Sequence, residues 1–300
     1  MKGKVLSYIL VFSAACGLLV AGCGNTPGEE SHAEIAVTNS YLGCAVRQLA
    51  GDDTEVLCLT PPGMCPGHFD ISPLQVKQLC GCRILLLFDF QKQIEETLSR
   101  VKGRGLKTAL VTEVGGLCVP ETYLAICREV SDILSSEYPE KKAWYQQRLT
   151  VLEKDLKHLR EELLEKVAQG GVSSAKVLVS NHQVDFAGWL GLETIATFVG
   201  SDIETVTGIE HCIRQAEDQG VRFVIANKQE GTALAKALAE RLGARAVVFS
   251  NFPELSGGAS PVRNSRNGDY HRERKISNGA SGFGALLRAN VEALLGAARQ

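Results

Sequence analysis

Histidine and cysteine carry the most specific chemistry in this chain, and their placement is uneven. Of six histidines, His32 lies in a polar stretch, His158 within a charged helical pattern, His211 among charged neighbours and His271 in an Arg-rich loop, all solvated surface positions. Only His68 and His182 stand where a turn or an apolar strand has just ended. A neutral imidazole at a strand end is a common ligand geometry for a divalent first-row cation, which takes nitrogen and carboxylate donors at about 2.0–2.2 Å. The chain also holds ten cysteines. Cys80 and Cys82 have the spacing of a metal pair, but they sit where a helix passes into an apolar strand, so buried packing is the preferred reading. Gly279, Gly282 and Gly284 lack the preceding strand and the spacing of a phosphate loop. No nucleophile-elbow motif places a Ser-His-Asp or Cys-His set, so the sequence points to binding rather than to an enzyme.

Composition bounds the scaffold that must position these groups. The 300 residues include 45% hydrophobic side chains, enough to bury a sizeable core, and a net charge of −2 gives no field to attract nucleic acid. Lys2 and Lys4 precede an apolar run from Val5 to Val20, too short for a comfortable bilayer span and suited to a secretory h-region. It ends in Leu19-Val20-Ala21-Gly22-Cys23, which resembles a bacterial lipobox; an ordinary signal peptide with an incidental cysteine is the alternative. Residues 1–22 are therefore expected to be a lipoprotein signal peptide, Cys23 the lipidation site, and 23–33 a polar tether. From Glu34 short apolar runs alternate with amphipathic stretches: Ile35 to Thr38, Glu55 to Leu59, Arg83 to Phe88 and Thr108 to Thr112, then Lys176 to Ser180, Thr194 to Phe198, Phe223 to Ala226 and Ala246 to Phe249. That rhythm predicts parallel α/β sheets. Between the two sets, Leu149, Leu152, Leu156, Leu159 and Leu163 recur at spacings of 3 and 4 between Pro139 and Gly170-Gly171, which predicts one long helix. A coiled-coil dimerisation helix is the alternative. The expected organisation is an N-terminal α/β lobe over 34–136, a linking helix over 137–171 and a C-terminal α/β lobe over 172–300.

Several short motifs carry a family resemblance. They are Ala36-Val37-Thr38-Asn39-Ser40 with Leu49-Ala50-Gly51-Asp52, Pro61-Pro62-Gly63 before a His-bearing loop, and Tyr138-Pro139-Glu140 before the helix containing Tyr145-Gln146. Val177 to His182 with Gly191-Leu192, and Asn290 in the last helix, complete the set. In this order the chain resembles the metal-specific solute-binding proteins of bacterial ABC importers, the zinc and manganese type called ZnuA-like or TroA-like (cluster A-I). The resemblance covers essentially the whole mature chain. It implies two α/β lobes with parallel sheets, joined by one long α-helix, with the ligand cleft between the lobes.

The resemblance also suggests a ligand set. His182 matches the histidine that opens the family's second lobe. His68 lies one residue beyond the position of the family's Asp-Pro-His histidine, a shift that a Pro/Gly-rich loop can absorb. Gly115-Gly116-Leu117-Cys118-Val119-Pro120-Glu121 takes the place of a Gly-Gly-x-Asp-Pro-His motif, which puts Glu121 where an imidazole is usual; the other reading is that Glu121 opens the following helix. Asn251 replaces the family's C-terminal aspartate, with Glu254 just beyond. Two imidazoles and one carboxylate leave a divalent ion undercompensated. Cys65 and Cys118, each three residues before a candidate ligand, could supply thiolates, form a disulfide or remain free thiols.

The expected function is capture of a divalent transition metal outside the cytoplasm for an ABC permease. Zn²⁺ is preferred and Mn²⁺ less favoured. The protein would be a monomer, membrane-anchored through its N-terminal lipid, with no nucleic-acid partner. A long rigid helix would restrict lobe closure to a small tilt. The alternatives keep the fold and bind a metal chelate or another small ligand, or use it as a surface adhesin. Arg263 to Lys275, a basic Gly/Ser/Asn-rich stretch, reads as a solvated loop.

Overall fold

Local signals start and stop most elements. Asn39 adopts an extended conformation and its side chain accepts from the Leu42 N–H, opening helix α1 (Ser40–Ala50). Ser72 and Gln75 form a reciprocal capping box around Pro73 at the start of α2 (Pro73–Leu79). Gly243, at φ +64°, closes the helix Ala233–Leu242 in the left-handed conformation that L residues resist. The computed structural model describes residues 33–51, 54–60, 71–91, 94, 98, 105–113, 115–200, 204–255 and 282–300. The expected signal peptide, Cys23, Cys65, His68 and the basic stretch 263–275 lie outside these residues.

Two four-stranded sheets form, each wholly parallel. The first orders β1 (Ile35–Val37), β2 (Val56–Cys58), β3 (Ile84–Phe88) and β4 (Lys107–Val111) as β2-β1-β3-β4. The second orders β5 (Lys176–Ser180), β6 (Glu193–Phe198), β7 (Phe223–Asn227) and β8 (Arg245–Phe249) as β6-β5-β7-β8. The lobes thus repeat one topology. In each, the first and third strands are neighbours whose onward connections lead to opposite sides, and such a switch point leaves a crevice at the carboxyl ends of those two strands.

Helices cover both faces of each sheet, so the central strands are apolar throughout. In β3, Ile84, Leu86 and Phe88 join the inner core while Leu85 and Leu87 pack outward with Leu79 and Leu98. In the second sheet, Leu178, Val224 and Ala226 pack outward against α6 (Val206–Ala216) and α7 (Ala233–Leu242) through Cys212, Ala216 and Leu238.

The connection between lobes differs from a single helix starting at 137. Helix α3 (Pro120–Glu137) ends there, Pro139–Lys141 form one 3-10 turn, and α4 runs over Lys142–Gln169. Proline excludes the helical conformation from the residue before it, and Tyr138 accordingly sits at φ −128°, ψ 71°. With 28 residues, α4 is about 42 Å long at 1.5 Å per residue. Its Leu152, Leu156, Leu159, Leu163 and Val167 lie in one core that also takes in α1, α3, both sheets and the last helix α8 (Phe283–Arg299). The apolar seam that could have served a coiled coil is therefore buried within its own chain. Aromatic packing reinforces this core: Phe283 stacks on Tyr123 with ring centres 3.8 Å apart, and Tyr41 sets its edge against both. Among the described residues no helix is long and apolar enough to cross a membrane.

Candidate functional site

The switch point of the first lobe is filled from within. Thr38, just after β1, donates its hydroxyl to Gln91 Oε1 at 2.6 Å, and Gln91 Oε1 also accepts from the Phe88 N–H. Thr60 donates to the Thr38 carbonyl. All three side chains are buried.

The corresponding place in the second lobe is open and charged. Strand β5 ends at Ser180, and the 3-10 turn Asn181–Gln183 lifts His182 out with its side chain 65% exposed. Strand β7 ends in the 3-10 turn Lys228–Glu230, and Glu230 Oε1 lies 3.1 Å from His182 Nε2. The other carboxylate oxygen accepts from the Ser180 hydroxyl at 2.5 Å. Gly200, after β6, approaches so closely that a Cβ there would stand 2.7 Å from the Glu230 Cβ. Glu230 is therefore held on three sides: by a hydroxyl, an imidazole and a backbone.

Below His182 runs a buried polar network that joins the two lobes. Gln183 donates to Asn251 Oδ1 at 2.9 Å, and Asn251 Nδ2 donates to the His182 carbonyl at 3.2 Å. Cys118, on the loop after β4, donates its thiol to the Ser250 carbonyl at 3.1 Å and to Asn251 Oδ1 at 3.4 Å. Asn290 of α8 closes the set: it accepts from the Ser250 N–H at 3.0 Å and donates to the Ser250 carbonyl at 2.9 Å. Burial pushes the Cys118 thiol well above its ordinary range, so at neutral pH it acts as an S–H donor. Beside it, Gly115 and Gly116 pack onto Asp185 of α5 (Val184–Trp189); a Cβ on Gly116, whose φ is +84°, would come within 2.9 Å of the Asp185 Cβ.

The expected ligands are thus distributed as follows. His182, Asn251 and Cys118 belong to one connected region, but Asn251 and Cys118 are buried with their polar atoms committed to the network. Glu121 stands apart in the first turn of α3, with Oε1 3.3 Å from Arg160 of the linking helix, as its helix-opening alternative anticipates. Among the described residues no group of three His, Cys, Asp or Glu side chains could hold a metal ion, and no disulfide joins two of the described cysteines. Cys80 and Cys82 each donate to a carbonyl of α2, in keeping with packing. Glu230 was not singled out from the sequence. The available signal was its place just after an apolar strand, the same criterion that selected His182.

Comparison with known proteins adds sequence and fold. Residues 118–266 match the model of the family described as zinc-uptake complex component A, periplasmic (ZnuA). A crystal structure of ZnuA is similar with a TM-score of 0.64 and 17% identity, covering 87% of this chain and 95% of its own. A manganese-bound periplasmic metal-binding protein from Candidatus Liberibacter asiaticus matches with a TM-score of 0.65 and 13% identity over 88% of this chain and 98% of its own. The solute-binding protein FpvC from P. aeruginosa, in complex with Ni²⁺, gives a TM-score of 0.65 and 15% identity over 88% and 96%. No curated protein matches the chain in sequence.

Proposed function

We take as premise that the chain is ZnuA/TroA-like, in sequence over residues 118–266 and in fold across its described residues, and propose that it captures a divalent transition-metal ion outside the cytoplasm and delivers it to an ABC permease. Proteins of the ZnuA type are transport binding proteins and not enzymes. The observation that carries the reading is His182, an exposed imidazole raised at a strand end between two lobes of this fold. His68, between β2 and α2 in sequence and outside the described residues, is the proposed partner from the first lobe. Zn²⁺ is the proposed cargo, since imidazole and carboxylate donors suit it, and the solved proteins of this fold include manganese-bound and Ni²⁺-bound members. Cys65, also outside the described residues, is a reserve donor.

In this reading Cys118 and Asn251 contribute indirectly. Their hydrogen bonds hold the His182 turn and the loop after β8 in register with the first lobe, so the imidazole is preorganised before the ion arrives. Lipid anchoring at Cys23 would keep the protein beside the permease.

The test is isothermal titration of metal-free protein with Zn²⁺, Mn²⁺ and Ni²⁺, for wild type and His182→Ala. The expected result is 1:1 binding by wild type, with affinity for the preferred ion at least tenfold weaker in the variant, the low end for disturbing a metal site. Equal binding by both proteins would remove His182 from the site.

A further inference from the structure

His182 and Glu230 sit at the carboxyl ends of β5 and β7, the two strands that form the switch point of the second lobe. This is where an open α/β sheet presents a crevice to a ligand. Their facing atoms, Nε2 and Oε1, are 3.1 Å apart. Two donors each about 2.1 Å from one ion, at angles between octahedral and tetrahedral, stand roughly 3.0–3.4 Å apart. The pair is therefore already spaced for a shared cation, which would replace the contact between them.

The surroundings orient the carboxylate for that task. The Ser180 hydroxyl holds Oε2 and leaves Oε1 toward the imidazole. Hydrogen bonds of this kind, from a neighbour to a ligating group, fix its direction and sharpen affinity. Glu230 has 16% side-chain exposure against 65% for His182, so the carboxylate is anchored while the pair stays open to an arriving ion. Asn251, by contrast, is buried and its amide bonds to Gln183, Cys118 and the His182 carbonyl.

We infer that Glu230 is the carboxylate ligand of the second lobe, gripping the cargo ion together with His182 and taking the place the sequence suggested for Asn251. The inference rests on the metal-capture reading above. A carboxylate here supplies negative charge that an amide at 251 cannot, next to an imidazole that must bind in its neutral form.

The experiment compares metal-free wild type, Glu230→Gln and His182→Ala by Zn²⁺ titration, with Co²⁺ as a spectroscopic probe. Melting in EDTA first establishes that each variant is folded. Glu230→Gln should weaken Zn²⁺ binding at least tenfold and alter the visible Co²⁺ bands, because a ligand oxygen has lost its charge. Gly200→Ala is a second variant that leaves both ligands in place but drives a methyl into the Glu230 Cβ, and it should weaken binding in the same direction. If Glu230→Gln binds Zn²⁺ as tightly as wild type with an unchanged Co²⁺ spectrum, while His182→Ala loses binding, the inference fails and metal capture stands. If wild type binds none of the ions, both fall.

Discussion

Replacing Asn290 by leucine tests how much the buried polar network beneath His182 contributes to stability. Asn290 is 3% exposed, and its amide forms paired hydrogen bonds with the backbone of Ser250, accepting at 3.0 Å and donating at 2.9 Å. Leucine has the same branching and number of side-chain heavy atoms, so no cavity opens, but both bonds disappear, as does the weaker one from Nδ2 to Cys118 Sγ at 3.7 Å. The Ser250 carbonyl keeps the Cys118 thiol as a donor. The Ser250 N–H keeps no acceptor, and orphaning a buried donor costs about 1–3 kcal/mol, with about 0.5–1.5 kcal/mol more for the second bond. Leucine's added apolar burial returns part of this, leaving a destabilisation of about 2–3 kcal/mol. For a chain of this size that lowers Tm by roughly 4–12 °C. The assay is thermal and urea unfolding of metal-free protein, with the urea slope checked for constancy so that the shift is one of stability. A Tm within about 1 °C of wild type would refute the reasoning, because the network would then be interchangeable with apolar packing.

Two further outcomes follow from the same packing. Phe283→Ala removes the ring stacked on Tyr123 at 3.8 Å and touching Tyr41, and should cost about 3–5 kcal/mol in urea unfolding, as for other buried aromatics. Glu162 is bound by Arg288 and Lys166, which hold its carboxyl down at about 2. A depressed carboxylate stabilises the fold above the ordinary carboxylate range and loses that contribution as pH falls toward 2, so Glu162→Gln should flatten the stability-versus-pH curve below about pH 5. The effect at neutral pH should be no more than about 1 kcal/mol, since the pair is partly solvated. An acid-unfolding profile identical to wild type would exclude this role.

Periodicity and punctuation in the sequence determined the elements. Alternating apolar runs and helical stretches specified two parallel α/β halves, and the leucine spacing between Pro139 and Gly170 specified the helix between them, because residues of one face recur at a period set by local geometry. The strand-end criterion was enough to single out His182. What periodicity could not supply was the direction of each side chain. Glu121 has the right type and a plausible position, yet the first turn of α3 turns it toward Arg160. Asn251 and Cys118 were placed by sequence near the cleft, and only the packing of α8 and the loop after β4 showed that they face inward, bonded across 133 residues of chain. Glu230 is 48 residues from His182, and nothing local links them. Their meeting is decided by strand order: β5 and β7 become neighbours only because β6 crosses to the far side of β5. Local sequence sets which elements form, whereas long-range burial decides which of their ends converge.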